Sequence, residues 1–160
     1  VHGFRFIGAS NYHEMRAMKS QNRYEECIEA SHKVENPFYT VDWINYPFAW
    51  FRGVCYTYLT RFDDAEREFE RAVELNPGNF HSHNNLGFSI AQQGRFEEAI
   101  PYFEESLKIN SKFEDARFNL AYSLVMLEKP NEALDVLSIN IRDTVKLKLY
   151  KSEAEKRLID

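Results

Sequence analysis

The chain has 160 residues, 44% hydrophobic and 28% charged, which suffices for one continuous core. Its net charge of −5, with no long Lys/Arg cluster, argues against a nucleic-acid surface, for which concentrated positive charge supplies most of the affinity. It has no run of about 20 apolar residues, so no membrane insertion is expected, and no signal peptide is visible.

Residues 1–45 are read as a degenerate helix pair followed by an aromatic link. Arg23-Tyr24-Glu25-Glu26-Cys27 echoes Arg95-Phe96-Glu97-Glu98-Ala99, which places a first irregular unit from about Gly8. Ala65, Ala99 and Ala133 recur every 34 residues, whereas Cys27 precedes Ala65 by 38. The surplus is assigned to the link from Pro37 to Asn45, which carries Phe38, Tyr39, Trp43 and Ile44.

Three fuller units follow, at 46–79, 80–113 and 114–147. In register, Gly53, Gly87 and Ala121 coincide, as do Tyr56, Ile90 and Leu124; Phe69, Phe103 and Leu137; and Ala72, Ser106 and Asn140. Small residues recurring against aromatic and aliphatic ones at helical spacing predict two closely packed antiparallel helices per unit, joined in the first by Leu59-Thr60-Arg61-Phe62. Asp63 to Glu66 and Ser111 to Glu114 each set a capping oxygen three residues before a Glu. Pro77-Gly78 ends a unit, and Pro130 suits a first helical turn. A last helix is expected over 143–160, capped by Asp143. Its inner stripe is Val145, Leu149 and Ala154, or Leu147, Tyr150 and Leu158, shielding the open end of the stack.

The pattern resembles the tetratricopeptide-repeat (TPR) family, whose 34-residue unit runs aromatic, Leu-Gly, aromatic, Ala, aromatic, Ala, Pro. Gly53, Tyr56, Ala65, Phe69, Ala72 and Pro77 stand in the family's places, with Ala49 and Arg52 where an aromatic and a Leu are usual. The second unit keeps Leu86, Gly87, Ile90, Ala99 and Phe103, with Ser111 for Pro. The third keeps Leu120, Ala121, Leu124, Ala133 and Leu137, with Asn140 and Val145 at the last two places. The resemblance implies an all-α fold, an α-solenoid of antiparallel helix pairs winding into a right-handed superhelix. It also implies a non-catalytic protein-protein interaction module that binds a peptide or protein segment in a concave groove lined by the first helix of each pair. Two alternatives are a regulatory or substrate-presenting segment of a larger enzyme, which a start at Val1 suits, and an assembly component. The latter would self-associate through Trp43, Tyr46, Phe48 and Trp50.

The family's groove positions fall here on Pro47, Trp50, Phe51, Val54 and Thr57; on His81, Asn84, Asn85, Phe88 and Ala91; and on Asp115, Phe118, Asn119, Tyr122 and Val125. Trp50, Phe51, His81, Asn84, Asn85, Phe88, Phe118, Asn119 and Tyr122 are the candidate peptide-binding residues. Asn85 and Asn119 match the asparagine ladder of the superhelix in O-linked N-acetylglucosamine transferases, which Phe51 breaks. An amide carries both donor and acceptor, so it reads a peptide backbone with little regard to side chains. The cationic clamp for acidic chaperone tails is not reproduced. Only Asn85 fits it, because Trp50, Val54, Asp115 and Asn119 replace the rest, and a carboxylate would lose its charge-assisted bonds.

No catalytic residue, metal or cofactor is expected. His81 and His83, two apart on a helix, point in different directions and are read as solvent-facing or groove histidines. Glu97-Glu98 and Glu104-Glu105 read as a solvated face, and there is neither a phosphate-cradling Gly loop nor a Gly-x-Ser-x-Gly elbow. Cys27 and Cys55 are read as reduced core thiols, and the compartment as cytoplasmic.

Overall fold

The computed structural model describes residues 17–34, 47–138 and 144–157. Its helices are α1 (Tyr24–Val34), α2 (Phe48–Tyr58), α3 (Phe62–Leu75), α4 (Phe80–Gln92), α5 (Phe96–Ile109), α6 (Glu114–Met126), α7 (Pro130–Leu137) and α8 (Thr144–Lys156), and residues 17–20 are also helical. Each helix packs on the next in chain order, and α2, α4 and α6 also touch in succession. The result is two layers, with α2, α4 and α6 in one and α3, α5 and α7 in the other. α8 packs on both α6 and α7, so it sits where the first helix of another unit would lie.

The two layers bury different amounts of surface. Helix α6 hides Ala116, Phe118, Leu120, Ala121, Leu124 and Val125, residues that point all round its axis, whereas α3 hides only the stripe Ala65, Phe69 and Ala72. A helix flanked by neighbours on several sides must be apolar on several sides, and an outer helix needs one stripe. Within the first two full pairs the approach is set by a ring lying on a residue without a side chain. A Cβ built on Gly53 would meet Phe69 ring carbons at 2.6–2.8 Å, and one on Gly87 would meet Phe103 at 2.8 Å and the Ala99 carbonyl at 3.1 Å.

The turn inside each unit is also repeated. Thr60, Gly94 and Glu128 have positive φ values of 56°, 79° and 59°, and Asn22, 38 residues before Thr60, has 58°. At each, the amide of the positive-φ residue donates three residues back: Asn22 to Lys19 (3.2 Å), Thr60 to Thr57 (3.0 Å), Gly94 to Ala91 (2.9 Å) and Glu128 to Val125 (3.1 Å). The following amide donates five back: Arg23 to Met18 (2.9 Å), Arg61 to Tyr56 (3.0 Å), Arg95 to Ile90 (3.4 Å) and Lys129 to Leu124 (2.9 Å). This is the paired closure that satisfies the last carbonyls of a helix. The residue after each turn is a cation paired with a carboxylate three residues on, in Arg23 with Glu26, Arg61 with Asp64, Arg95 with Glu98 and Lys129 with Glu132.

Several local expectations are corrected. Helix α3 starts at Phe62, so Asp63 and Asp64 lie in its first turn, where the helix dipole favours them, and no side chain caps it. Helix α6 starts at Glu114 with Phe113 at its cap position and no side-chain cap. A side-chain cap does form at Asn79, whose Oδ1 accepts from the His81 and Ser82 amides at 3.0 and 3.2 Å. In α8, Ala154 is fully buried but Leu149 is 69% exposed, so the Val145, Leu149, Ala154 stripe is not the inner face. Asp143 and Leu158 lie outside the described residues, as do the side chains of Val145, Leu147 and Tyr150. Arg52, at the place of Leu86 and Leu120, is wholly buried with its Nη2 2.8 Å from Glu68, an ion pair joining α2 to α3.

Two substitutions separate these constraints. Gly87→Ala should lower the urea unfolding free energy by about 1–3 kcal/mol through overpacking against Phe103, whereas Gly78→Ala, with nothing nearer than 3.7 Å, should cost far less. Gly94 has open space around it, so Gly94→Ala should cost about 1 kcal/mol from backbone conformation alone. Thr60→Gly, at the equivalent positive φ, should move stability in the opposite direction in the same urea titration.

Candidate functional site

The first helices leave one side of the inner layer open as a groove of about 360 Å³. Trp50, Val54, Thr57 and Tyr58 of α2 form one wall, His81, Asn84, Asn85 and Phe88 of α4 the middle, and Phe113, Asp115 and Asn119, at the start of α6 and along it, the other wall. A second cavity of about 150 Å³ is lined by Phe88, Ala91, Gln92, Phe103, Asn119 and Tyr122. Phe88 and Asn119 border both, so the two spaces adjoin along α4 and α6.

Aromatic rings brace the walls. Phe88 meets Phe62 edge-on at 6.4 Å, and Tyr122, one period later, meets Phe96 at 6.1 Å. Each of these two rings is therefore seated by the first residue of the preceding unit's outer helix. Phe80, His81 and Phe113 form a cluster with centroid separations of 4.1 Å for Phe80 to His81, 4.8 Å for Phe80 to Phe113 and 4.9 Å for His81 to Phe113. Burial among these rings holds the His81 pKa below its ordinary value, while the Asp115 carboxylate acts against that shift.

The asparagines form a hydrogen-bonded chain. Asn119 Nδ2 donates to Asn84 Oδ1 at 3.0 Å, and Asn84 Nδ2 donates to Asn85 Oδ1 at 3.2 Å. Asn84 is 5% exposed, whereas Asn85 and Asn119 are half-buried at the groove surface. Asn84 thus orients its two neighbours. Each amide has more capacity than these bonds use, with both Asn85 Nδ2 hydrogens and the Asn119 Oδ1 not spent on this chain.

Not every expected residue lines the groove. Trp50, His81, Asn84, Asn85, Phe88 and Asn119 do, and Tyr122 lines the adjoining cavity. Phe51 and Phe118 instead are 6% and 3% exposed; Phe118 packs into the main core and Phe51 stands edge-on to Trp50 at 5.1 Å. His83 faces neither solvent nor groove, because its Nε2 lies 2.8 Å from the Pro77 carbonyl across the turn between units. Arg117, one period on, donates to the equivalent Ser111 carbonyl. Of the aromatics expected to drive self-association, Phe48 is fully buried, Trp50 faces the groove, and Trp43 and Tyr46 lie outside the described residues.

Lys19, Tyr58 and Phe113 also line the groove and were not anticipated. The Lys19 ammonium lies 5.7 Å from the ring centres of both Trp50 and Tyr58, a cation-π arrangement that closes the α2 wall. Its signal was present in the sequence: counting back the 38 residues that separate Cys27 from Ala65 places Lys19 at the position of Thr57. Among the described residues no three His, Cys, Asp or Glu side chains converge to hold a metal ion, and no helix is long and apolar enough to cross a membrane.

Residues 56–113 and 91–139 match two family models, each described as tetratricopeptide repeat. None of the curated proteins matches the sequence significantly. Among solved structures, MamA MSR-1 superposes with a TM-score of 0.74 at 18% identity, covering 95% of this chain and 87% of its own. YrrB, a TPR protein with an unusual peptide-binding site, superposes with a TM-score of 0.73 at 21% identity, covering 91% and 74%. The TPR2B domain of yeast Sti1 in its pHsp70 complex gives 0.64 at 16% identity, covering 68% and 94%. At these identities the superpositions show the fold.

The His81 environment is open to a direct check. In a proton NMR titration its pKa should fall below that of a free histidine, and Asp115→Asn should lower it further by removing the opposing carboxylate. Because His81 binds its proton less readily folded than unfolded, its contribution to stability is intact above the ordinary value of 6.5 and is lost as pH falls through the lowered folded value.

Proposed function

Because this chain belongs to the tetratricopeptide-repeat family, we propose that it is a non-catalytic interaction module that holds an extended peptide or protein segment in the groove of α2, α4 and α6. The observation that carries this reading is the groove itself, which runs across all three first helices with amides at its centre and rings on its walls. Asn85 and Asn119, oriented through Asn84, supply donors and acceptors for a peptide backbone. Trp50, Val54 and Phe88 supply apolar surface for its side chains.

Charge gives the occupant a polarity. Lys19 stands at the α2 wall and Asp115 at the α6 wall, with uncharged residues between. A segment with an acidic group toward α2 and a basic group toward α6 matches both, whereas a purely acidic tail meets Asp115 unfavourably. The pHsp70 complex of Sti1 and the peptide-binding site of YrrB support recognition of a protein segment or peptide on this scaffold. The ligand preference proposed here follows from this chain's own residues.

Selection of a random 12-residue displayed peptide library against the chain tests the proposal. Enriched peptides should bind at least about tenfold more weakly to Asn85→Lys, which fills the centre of the groove, and equally well to Glu104→Lys on the exposed outer helix. Equal binding of the enriched peptides to the chain and to Asn85→Lys would place recognition elsewhere.

A further inference from the structure

Cys27 on α1 and Cys55 on α2 are both fully buried, and their sulfurs lie 2.9 Å apart. The position of this contact within the array is informative. Cys27 corresponds to Ala65 and Ala99 in the outer helices, and Cys55 to Ser89 and Ser123 in the inner helices, all of them wholly buried. Where the next two junctions carry Ala and Ser, the junction between the N-terminal unit and the first full unit carries two thiols facing one another. The repeat geometry needs only small residues there, so packing alone does not account for the sulfurs.

We propose that Cys27 and Cys55 are a modification site, a dithiol that closes to an intrachain disulfide and staples α1 to α2. The oxidant is a small-molecule disulfide such as oxidised glutathione. The Cys27 thiolate attacks one of its sulfurs, forming a mixed disulfide and expelling one glutathione thiolate. Cys55 then loses its proton, attacks the Cys27 sulfur and expels the second, so two protein thiols are oxidised and one disulfide is reduced to two thiols. The Cys55 thiol donates to Cys27, which lowers the Cys27 pKa and raises that of Cys55, so Cys27 is the first nucleophile.

Access requires α1 to lift from α2. The apolar cluster holding them is small, with Cys27, Ile28, Phe48 and Cys55 at its centre, separate from the main core. Among the described helices α1 packs chiefly on α2, and an element with few buried contacts is the first to open. Closing the disulfide also secures the groove's outer wall, because Tyr24 of α1 stacks on Tyr58 at 4.8 Å and Lys19 rests on Trp50 and Tyr58.

The test uses the chain as it stands, folded, with oxidised glutathione as the probe. Intact mass should fall by about 2 Da, both thiols should cease to titrate, and a non-reduced digest should yield one fragment joining Cys27 to Cys55. Tm should rise by roughly 5–10 °C and return when dithiothreitol is added. Cys27→Ala, which installs the residue found at Ala65 and Ala99, should show neither the mass loss nor the Tm rise. Two thiols that still titrate after prolonged exposure, or a stable glutathione adduct without the 2 Da loss, would overturn the proposal. The readouts are independent of whether the groove binds a peptide.

Discussion

The contact on which the rest of the structure depends is the close approach of each outer helix to a small residue on the inner one, made in the first two full pairs by a phenylalanine ring lying against a glycine. Phe69 covers Gly53 and Phe103 covers Gly87, at distances that exclude even a methyl group. In the third pair Leu137 and Ala121 hold the corresponding positions, a smaller side chain against a slightly larger one. This close approach recurs from one pair to the next at equivalent positions. Only then can α2, α4 and α6 touch one another and leave a continuous face for a groove. Overpacking one pair would alter the spacing of the wall it supplies.

The repeat extends beyond the core into turns and junctions. The positive-φ residue, its two hydrogen bonds and the cation that follows recur at all four turns, including the irregular one at Asn22. His83 and Arg117 use unlike chemistry to reach equivalent carbonyls, at Pro77 and Ser111. What is kept between units is therefore the unmet carbonyl, because a buried acceptor needs a donor whatever side chain supplies it. Two departures from the pattern fall on α2, where Arg52, paired with Glu68 of α3, replaces a Leu, and Cys55, facing Cys27 of α1, replaces a Ser.

The inner helices serve both the core and the groove, and this double use explains which site residues were hard to assign. Adjacent positions on one helix divide between the two roles: Asn119 faces the groove while Phe118 packs inward, and Trp50 faces it while Phe51 is covered. A rotation of a fraction of a turn decides between these outcomes, and family position numbers do not resolve it. The amides behave similarly. Asn85 and Asn119 were expected as parallel contacts, and the structure links them through Asn84, so their orientation is a property of three residues on two helices.

The sequence by itself determined the helix pairs, the period, the small residues at which helices touch and most of the inner-helix positions, because each follows from residue size and spacing along one chain. It also held the N-terminal offset of four residues, from which Lys19 follows. It misplaced the caps, since Asp63 and Ser111 are good capping residues locally and the chain path makes Arg61 and Phe113 the boundary instead. Only the tertiary structure decided which faces point into the groove, which polar groups bond across helices, and that Cys27 and Cys55 meet. Those outcomes depend on how one unit is rotated against the next, which no single segment of the chain encodes.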